Sequence, residues 1–310
     1  MKRIVVVMTF LLCLSANFFD GKRFAEEKSL REKKAEFKEA PTVVSAGIQV
    51  LPEVISATEP QIKEEKKRVE FNPNGPCFAR ELHPKHNELI KALGLRVPEQ
   101  KMVDISEILS VPNVCDNKKI LSPTMTWAEL EREMMAPVSI EHGIRFYFEN
   151  KFLLDQISKH YGIRASVLVA ITRIESDFGR NRGVGPVLLV LYNGYFYKNK
   201  KDNLNRMAVW FEFVEKNKTN ILSPGSHAGA FGLTQFMPQR SSLHYAVDWD
   251  KDGVIDLYAP PDALASSASH LIASGWGRKP NTNALMGYNN SSEYARITLA
   301  YEKKLRKFIE

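Results

Sequence analysis

Cysteine is scarce in this chain: there are 3 in 310 residues, Cys13, Cys77 and Cys115. No Cys/His spacing typical of a zinc site occurs. No glycine-rich stretch has the G-x-x-x-x-G-K-[ST] order of a phosphate-binding loop. The sequence therefore gives no support to zinc chemistry or to nucleotide hydrolysis by a P-loop.

Long apolar runs are also missing, apart from one at the start of the chain. Two basic residues precede an apolar run over residues 4–16, which predicts a secretory signal over residues 1–19 with cleavage near Ala16. Cys13 is not expected to carry a lipid, because Leu12 stands where a lipoprotein signal needs a small residue. No other stretch approaches the roughly 20 apolar residues of a membrane span. We therefore expect an exported chain, periplasmic or associated with the cell wall, without a membrane span in its mature form.

The composition divides the rest of the chain into three parts. Residues 20–70 are dense in charges of both signs and contain several prolines, which favours a flexible linker, although a partly helical tail has the same composition. Residues 71–136 contain helical apolar spacing over 83–95 and 127–135 and predict a smaller helical lobe. Residues 137–310 form the main domain. Cys77 and Cys115 can pair in an oxidising compartment, and the sequence leaves open whether they do.

The most informative residue is Glu175, at the end of a predicted apolar helix. Glu175 lies at the edge of the apolar stripe, and Gly179 can supply the left-handed residue that ends the helix. Partial burial would raise its pKa toward neutrality, where a carboxyl can donate a proton. From this helix alone, a solvated glutamate in a last turn is the alternative. The stripe has i, i+3, i+4, i+7 spacing and consists of Val167, Ala170, Ile171 and Ile174.

A glycine-rich segment follows about fifty residues later, over residues 225–238. Its glycines and alanines leave bare backbone where a side chain would not fit, which is typical of a surface against which a polymer lies. Ser226 and Gln235 can offer hydrogen bonds from this wall.

An acidic loop comes next and has the spacing of an EF-hand. Oxygen ligands at positions 1, 3, 5, 7 and 9 and a glycine at position 6, Gly253, suit a divalent cation such as calcium. Ala259 stands at position 12, where a bidentate acid is expected, so we predict a weak or structural site that Asp262 can complete. A solvated acidic turn is the alternative. The predicted ligands are Asp248, Asp250, Asp252, the carbonyl of Val254, and Asp256.

A fourth motif contains Tyr288, Asn289 and Tyr294 and opens the last amphipathic helix. Tyrosine and asparagine can stack on a sugar and hydrogen-bond to it, but a helix cap with core aromatics has the same pattern.

In this order the four motifs resemble the B-type lytic murein transglycosylases, which are related to goose-type lysozyme. Residues 175–179 match the family's ES-x-FG element, residues 225–238 its GS-x-AGA-x-G-x-x-QFMP wall, and residues 288–295 its YN-x-S-x-x-YA segment. The resemblance extends over roughly residues 137–301 and departs from the family at Ala259. It implies a mainly α fold, a lysozyme-like (goose-type) transglycosylase domain with a smaller helical N-terminal lobe, an EF-hand-like loop and at most a short sheet.

The resemblance also implies a reaction. In the family, one glutamic acid protonates the bond between N-acetylmuramic acid and N-acetylglucosamine and then, as a base, takes the proton of the muramic 6-hydroxyl. A 1,6-anhydro ring forms without water, so the second carboxylate of ordinary glycosidases is not needed. Glu175 takes this role, no cofactor is required for the chemistry, and a calcium ion would be structural. The implied substrate-binding residues are Ser176, Ser226, Gln235, Tyr288, Asn289 and Tyr294.

The net charge of +7 favours an acidic partner. Peptidoglycan strands carry carboxylates, so we expect a basic cleft, a monomer, and other cell-wall enzymes as candidate partners. Nucleic acid also fits the sign, but the export signal and the lack of a recognition motif argue against it. Two other functions remain: a muramidase or chitinase-like hydrolase on the same fold, which would use a second cleft acid, and a wall-binding protein without activity.

Overall fold

The computed structural model describes residues 82–110, 118–122, 125–277 and 281–310. The predicted signal segment, the linker over residues 20–70, and the pairing of Cys77 with Cys115 all lie outside the described residues.

Helices make up most of the described chain, which confirms the expected mainly α fold. The one sheet among the described residues is very short: β1 pairs antiparallel with β2, and Gly185 lies opposite Gly225. In the described part of the chain no helix combines the length and apolarity needed to cross a membrane. The elements are α1 His86–Gly94, α2 Glu99–Ser110, a 3-10 turn Lys118–Leu121, α3 Trp127–Met134, α4 Pro137–Glu149, α5 Lys151–Tyr161, α6 Ala165–Ser176, β1 Gly185–Pro186, α7 Val187–Tyr197, α8 Lys200–Asn217, β2 Pro224–Gly225, α9 Arg240–Leu243, α10 Pro260–Ala273, α11 Asn281–Tyr288 and α12 Ser292–Ile309.

The larger hydrophobic core surrounds α6. This helix is buried on every side over residues 166–174, and it packs against α4, α5, α10 and α12. A helix that is apolar around its whole circumference has to lie inside the protein. The sequence of α6 therefore places it in the centre, and Glu175 follows directly on this central position.

A second core holds the glycine-rich wall from the other side. Trp210 of α8 is fully buried against Phe231 of the wall, with ring centroids 4.8 Å apart. Its indole N–H donates to the carbonyl of Ile221 at 3.2 Å. Tyr192 of helix α7, which is buried over residues 187–195, belongs to the same core.

The predicted N-terminal lobe has no core of its own among the described residues. Leu89 and Leu93 of α1 are fully buried in the second core, together with Trp210. Leu130 and Met134 of α3 are buried in the larger core around α6. The two helices have the predicted positions, but the apolar face of each is covered by the main domain rather than by the other, so residue 136 does not separate two cores.

The end of α6 differs from the prediction. Gly179 does adopt a left-handed conformation, with φ of 81°, but the helix ends three residues earlier, at Ser176. Asp177 and Phe178 are already left-handed, with φ of 49° and 58°. The Oγ of Ser176 accepts a hydrogen bond from the N–H of Gly179 at 3.0 Å, and its carbonyl accepts one from Asn181 at 2.9 Å. These bonds stabilise an unfavourable backbone, and the tight turn leaves Glu175 in the last turn of the helix.

Gly183 brings the chain after this turn onto the wall. Its φ is 129°, and a Cβ atom on it would lie 1.9 Å from the carbonyl oxygen of Gly225. The adjacent Val184 donates its N–H to that same carbonyl at 2.9 Å. Only glycine permits this approach, which closes one side of the space in front of Glu175.

Candidate active site

An open cleft with an empty volume of about 1100 Å³ lies in front of Glu175. The end of α6, the glycine-rich wall, helix α3 and the start of the last helix all contribute to its lining. Of the predicted site residues, the lining includes Glu175, Ser176, Ser226, Gln235, Asn289 and Tyr294.

The carboxyl group of Glu175 is partly buried, and it makes a single hydrogen bond among the described residues. The hydroxyl of Tyr294 donates to Oε1 at 2.7 Å. Burial raises the pKa of Glu175 to about 8, and the Tyr294 hydrogen bond lowers it by a smaller amount. Glu175 is therefore protonated at neutral pH, which is the state that a proton donor requires.

Ser176 does not present its hydroxyl to the cleft, although it was predicted to bind substrate. The side chain is fully buried, and its Oγ donates to the carbonyl of Leu233 at 2.6 Å. The same Oγ accepts a hydrogen bond from the N–H of Gly179, so the hydroxyl both donates and accepts a hydrogen bond inside the protein. Ser176 therefore fixes the end of α6 to the wall, immediately beside Glu175.

The wall is a compact hairpin. Phe231 and Phe236 exchange backbone hydrogen bonds at 2.9 and 2.8 Å. Gln235 lies in the turn with φ of 52°, and its Nε2 donates to the carbonyl of Gly232 at 2.8 Å. Ser226 accepts hydrogen bonds at Oγ from the N–H groups of Ala228 and Ala230, which leaves its own proton to donate into the cleft. Both predicted polar residues of the wall thus line the cleft.

Tyr288 supports the site from behind. Its hydroxyl donates to the carbonyl of Thr234 at 2.9 Å, and its ring lies parallel to that of Tyr294 with centroids 6.4 Å apart. On its other side the ring contacts His270, with centroids 4.5 Å apart. Of this motif, Asn289 and Tyr294 line the cleft. Tyr288 lies behind it and holds the wall, and Tyr294 holds Glu175.

The cleft lining is not basic, contrary to the expectation drawn from the net charge. The one arginine among the lining residues, Arg173, is buried and forms an ion pair with Asp177 at 3.3 Å. Asp177 forms a second ion pair with Arg180 at 3.5 Å. The His227 side chain is neutral, since burial and the nearby Lys198 lower its pKa to about 4. The positive charges of the chain lie mostly elsewhere.

Sequence reasoning did not find the contribution of α3 and its flank to the cleft. Met125, Trp127, Leu130 and Glu133 all line it. The apolar spacing correctly predicted a helix at this place, but it could not show that part of its surface faces Glu175.

Three acidic groups of the predicted cation loop converge. Carboxylate oxygens of Asp248, Asp250 and Asp262 lie within 4.8 Å of one another. Asp262 is buried, and its two oxygens accept the N–H groups of Trp249 and Asp256, each at 2.7 Å. Burial, with smaller effects of the nearby acids, raises the pKa of Asp262. Asp262 thus comes to the place left open by Ala259.

Not all of the predicted ligands join this trio. Asp252 and Asp256 instead accept the N–H groups of Val254 and Tyr258, at 2.8 and 2.9 Å. The Oδ1 atom of Asp248 is buried without a hydrogen-bond partner in the described structure. A buried acceptor of this kind favours a bound cation, because an unpaired polar atom is costly and hard cations prefer oxygen ligands.

Comparison with known proteins gives the family. The family model of the transglycosylase SLT domain matches residues 102–282, more than half of the chain. The chain belongs to the transglycosylase SLT domain family. The match in this SLT-domain protein begins at residue 102, well before residue 137. This agrees with the structure, in which helices before residue 137 are buried in the same cores as the main domain.

Relatives of this SLT-domain protein include lytic transglycosylases. The membrane-bound lytic murein transglycosylase B of Escherichia coli is 28% identical over 215 residues, which are 66% of this chain and 58% of that protein. The chain therefore spans 58% of the length of this curated relative. E. coli Slt35, solved in complex with calcium, has a TM-score of 0.63 at 20% identity, covering 72% of this chain and 93% of Slt35. Pseudomonas aeruginosa SltB3, solved with NAG-NAM-pentapeptide, has a TM-score of 0.62 at 20% identity, and the match covers 72% of this chain and 79% of SltB3.

The raised pKa of Glu175 predicts a pH-dependent stability. Between its ordinary value of 4.5 and about 8, the unfolded chain releases a proton that the folded protein keeps, so the folded state loses relative stability as the pH rises. Glu175→Gln removes this loss, and we expect the variant to be more stable than the parent by about 2 to 3 kcal/mol at neutral pH. Near pH 4, at about the ordinary carboxyl pKa, the two proteins should unfold almost alike.

Thermal unfolding of both proteins across this pH range provides the measurement. Glu149→Gln, at an exposed glutamate outside the cleft, is the matched control and should follow the parent at every pH. A stability difference for Glu175→Gln that is the same at acidic and neutral pH would contradict a raised pKa.

Proposed function

We propose that this protein is a lytic transglycosylase that cleaves the MurNAc-GlcNAc β-1,4 bond of peptidoglycan without water and leaves 1,6-anhydromuramic ends. The observation that carries the proposal is the position of Glu175 at the edge of the cleft, where Tyr294 donates one hydrogen bond to its carboxyl group and burial raises its pKa to about 8. The family membership and the fold support it.

In the first step the carboxyl proton of Glu175 passes to the glycosidic oxygen as the bond to the muramic C1 breaks. The sugar that remains is cationic, and its own 2-acetamido group can stabilise it. Ser226, Gln235 and Asn289 line the cleft around Glu175 and are the groups placed to hold this sugar. Holding the ring in a reactive shape gives an intramolecular hydroxyl a high effective concentration.

In the second step the Glu175 carboxylate accepts the proton of the muramic 6-hydroxyl. The oxygen of that 6-hydroxyl forms the new bond to C1 of the same sugar. This restores the protonated acid and closes the 1,6-anhydro ring, so the two steps balance. The Tyr294 hydroxyl stabilises the intermediate carboxylate, because a hydrogen bond to a charged acceptor is stronger than one to a neutral acceptor. The same residue thus serves as acid and as base.

The hydrolase alternative requires a second carboxylate to activate water. Two other acids line the cleft, Asp177 and Glu133. Asp177 lies between Arg173 and Arg180, and these two ion pairs occupy its carboxylate. Glu133 is exposed and is the remaining candidate for the carboxylate that activates water. The products of the reaction therefore decide between the two chemistries. A wall-binding protein without activity would have no use for a protonated Glu175.

The decisive experiment is mass spectrometry of purified sacculi after digestion with the full chain. We expect muropeptides that are lighter by one water and resistant to borohydride, because the anhydro ring has no reducing end. Glu175→Gln should form none, and Glu149→Gln should form as much as the parent. Reducible ends that depend on Glu175 would make the protein a hydrolase, and no product from the parent would favour a binding protein.

Tyr294→Phe tests the hydrogen bond to Glu175. The bond lowers the pKa of Glu175, so its loss should raise that pKa further and move the alkaline limb of the kcat/KM profile upward by about one pH unit. We expect kcat to fall about tenfold, since the carboxyl also loses its positioning contact. The measurement is the pH profile of product formation. An alkaline limb at an unchanged pH would show that Tyr294 does not act on Glu175.

We also propose that the acidic loop holds a structural calcium ion through Asp248, Asp250 and Asp262. The support is their convergence within 4.8 Å and the buried, unpartnered Oδ1 of Asp248. The ion would offset two of the three negative charges of these neighbouring carboxylates and brace the loop, and no step of the reaction involves it. This ligand set keeps the first two predicted acids and takes Asp262 in place of the missing ligand at position 12.

Calcium should therefore stabilise the fold. Binding to the native state alone adds about 2.7 kcal/mol at a concentration of 100 times Kd, so we expect the Tm to rise with added calcium. Asp248→Asn should abolish most of this rise, and Asp104→Asn, at an exposed aspartate on α2, should leave it intact. Calorimetric unfolding with calcium and with a chelator would measure it. An equal rise in both variants would place the ion elsewhere.

We propose further that the protein acts outside the cytoplasm, on the cell wall. The predicted export signal and the wall-derived fragment seen in the SltB3 relative support this location.

A further inference from the structure

Three glutamates alternate along α3, at positions 129, 131 and 133, and two of them have structural partners. Glu129 forms the capping box at the start of the helix, where Thr126 donates to its carboxylate from both N–H and Oγ1. Glu131 binds Arg296 of α12 through two hydrogen bonds, of 2.5 and 2.7 Å. Both carboxylates thus stabilise the position of the helix.

Glu133 is different. It is exposed, and within the described ranges it has no ion-pair partner. Its side chain lines the cleft that contains Glu175. A carboxylate in this position serves neither the helix start nor the contact with α12, so its charge is available to a bound molecule.

Glu133 has no oppositely charged partner among the residues that line the cleft. Arg173 is paired with Asp177, which also pairs with Arg180 outside the lining, Glu175 is protonated, and the His227 side chain is neutral. Glu133 is therefore the one unpaired charge among the lining residues, all of which are described. Although the protein has a net charge of +7, this single negative side chain is placed to attract a cation.

The neighbouring aromatic residue suits the same kind of group. Trp127 lies on α3 six residues before Glu133, is partly buried against the larger core, and lines the same cleft. An indole face attracts an ammonium group through its quadrupole, and tryptophan is the best side chain for this contact. Leu130 lies between the two on the helix and also lines the cleft, so these three residues form one continuous surface.

We propose that Trp127 and Glu133 form a specificity site for an ammonium group of the glycan substrate, a proposal that rests on the proposed function. The ammonium can come from a glucosamine that has lost its acetyl group or from a diamino acid of the stem peptide. Both present a primary amine that is charged at neutral pH. Glu133 supplies the opposite charge, Trp127 supplies the aromatic face, and neither takes part in bond breaking.

The test measures binding, so that it does not depend on turnover. Full-length Glu175→Gln is co-sedimented with sacculi, either untreated or treated with acetic anhydride to convert every free amine to an amide. We expect acetylation to weaken binding about three- to fivefold, the range for a partly exposed ion pair. In Glu175→Gln/Glu133→Gln, binding to untreated sacculi should already be weakened, and acetylation should have no further effect. Glu175→Gln/Glu149→Gln should respond like Glu175→Gln.

Removing the stem peptides with an amidase before acetylation separates the two sources. If the effect of acetylation disappears after this treatment, the amine belongs to the peptide. If it persists, the amine belongs to the sugar.

Two results would overturn the proposal. One is an equal effect of acetylation with and without Glu133, which would show that the amine is recognised elsewhere. The other comes from turnover by the single variant Glu133→Gln, where we expect the change mainly in KM. A loss mainly in kcat, with reducible ends among the parent's products, would identify Glu133 as the base of a hydrolase.

Discussion

The rest of this structure depends on the burial of the Glu175 carboxyl group. Burial raises its pKa, and one hydrogen bond from Tyr294 lowers it by a smaller amount. A buried carboxyl that keeps its proton at neutral pH weakens the folded state, so the surrounding structure has to hold it in place. The apolar helix α6 does so from one side, because it is buried along its length and ends directly at Glu175. Ser176 fastens this end to the wall.

The wall is the second support, and several elements meet on it. The carbonyl of Leu233 accepts a hydrogen bond from the Ser176 hydroxyl, and the Leu233 N–H donates to the carbonyl of Leu257, in the acidic loop, at 2.7 Å. The carbonyl of the neighbouring Thr234 accepts a hydrogen bond from the Tyr288 hydroxyl. Glycine at position 232 permits the contact, since a Cβ there would lie 2.4 Å from the Leu257 carbonyl oxygen. Helix α6, the acidic loop and α11 are thus joined through backbone groups of one short hairpin.

The distribution of charge shows why composition is a poor guide to a site. A net charge of +7 suggested a basic cleft, but the cleft pairs its only arginine internally and presents the carboxylate of Glu133. Net charge acts over the long range, where it favours approach to an acidic polymer. Recognition within the cleft depends on single uncompensated groups, and these are set by which helix faces which.

Local patterns in the sequence determined the helical class, the burial of α6, the position of Glu175 at its end, and the glycine-rich wall, because periodicity and backbone freedom are properties of neighbouring residues. Tertiary structure decided the rest. It alone set the αL turn at Asp177, the inward hydroxyl of Ser176, the Tyr294 contact with Glu175 across 119 residues, and the approach of Asp262 to Asp248. It also placed α3 along the cleft. These features depend on which surfaces pack together, and a single sequence does not encode such long-range contacts in any local pattern.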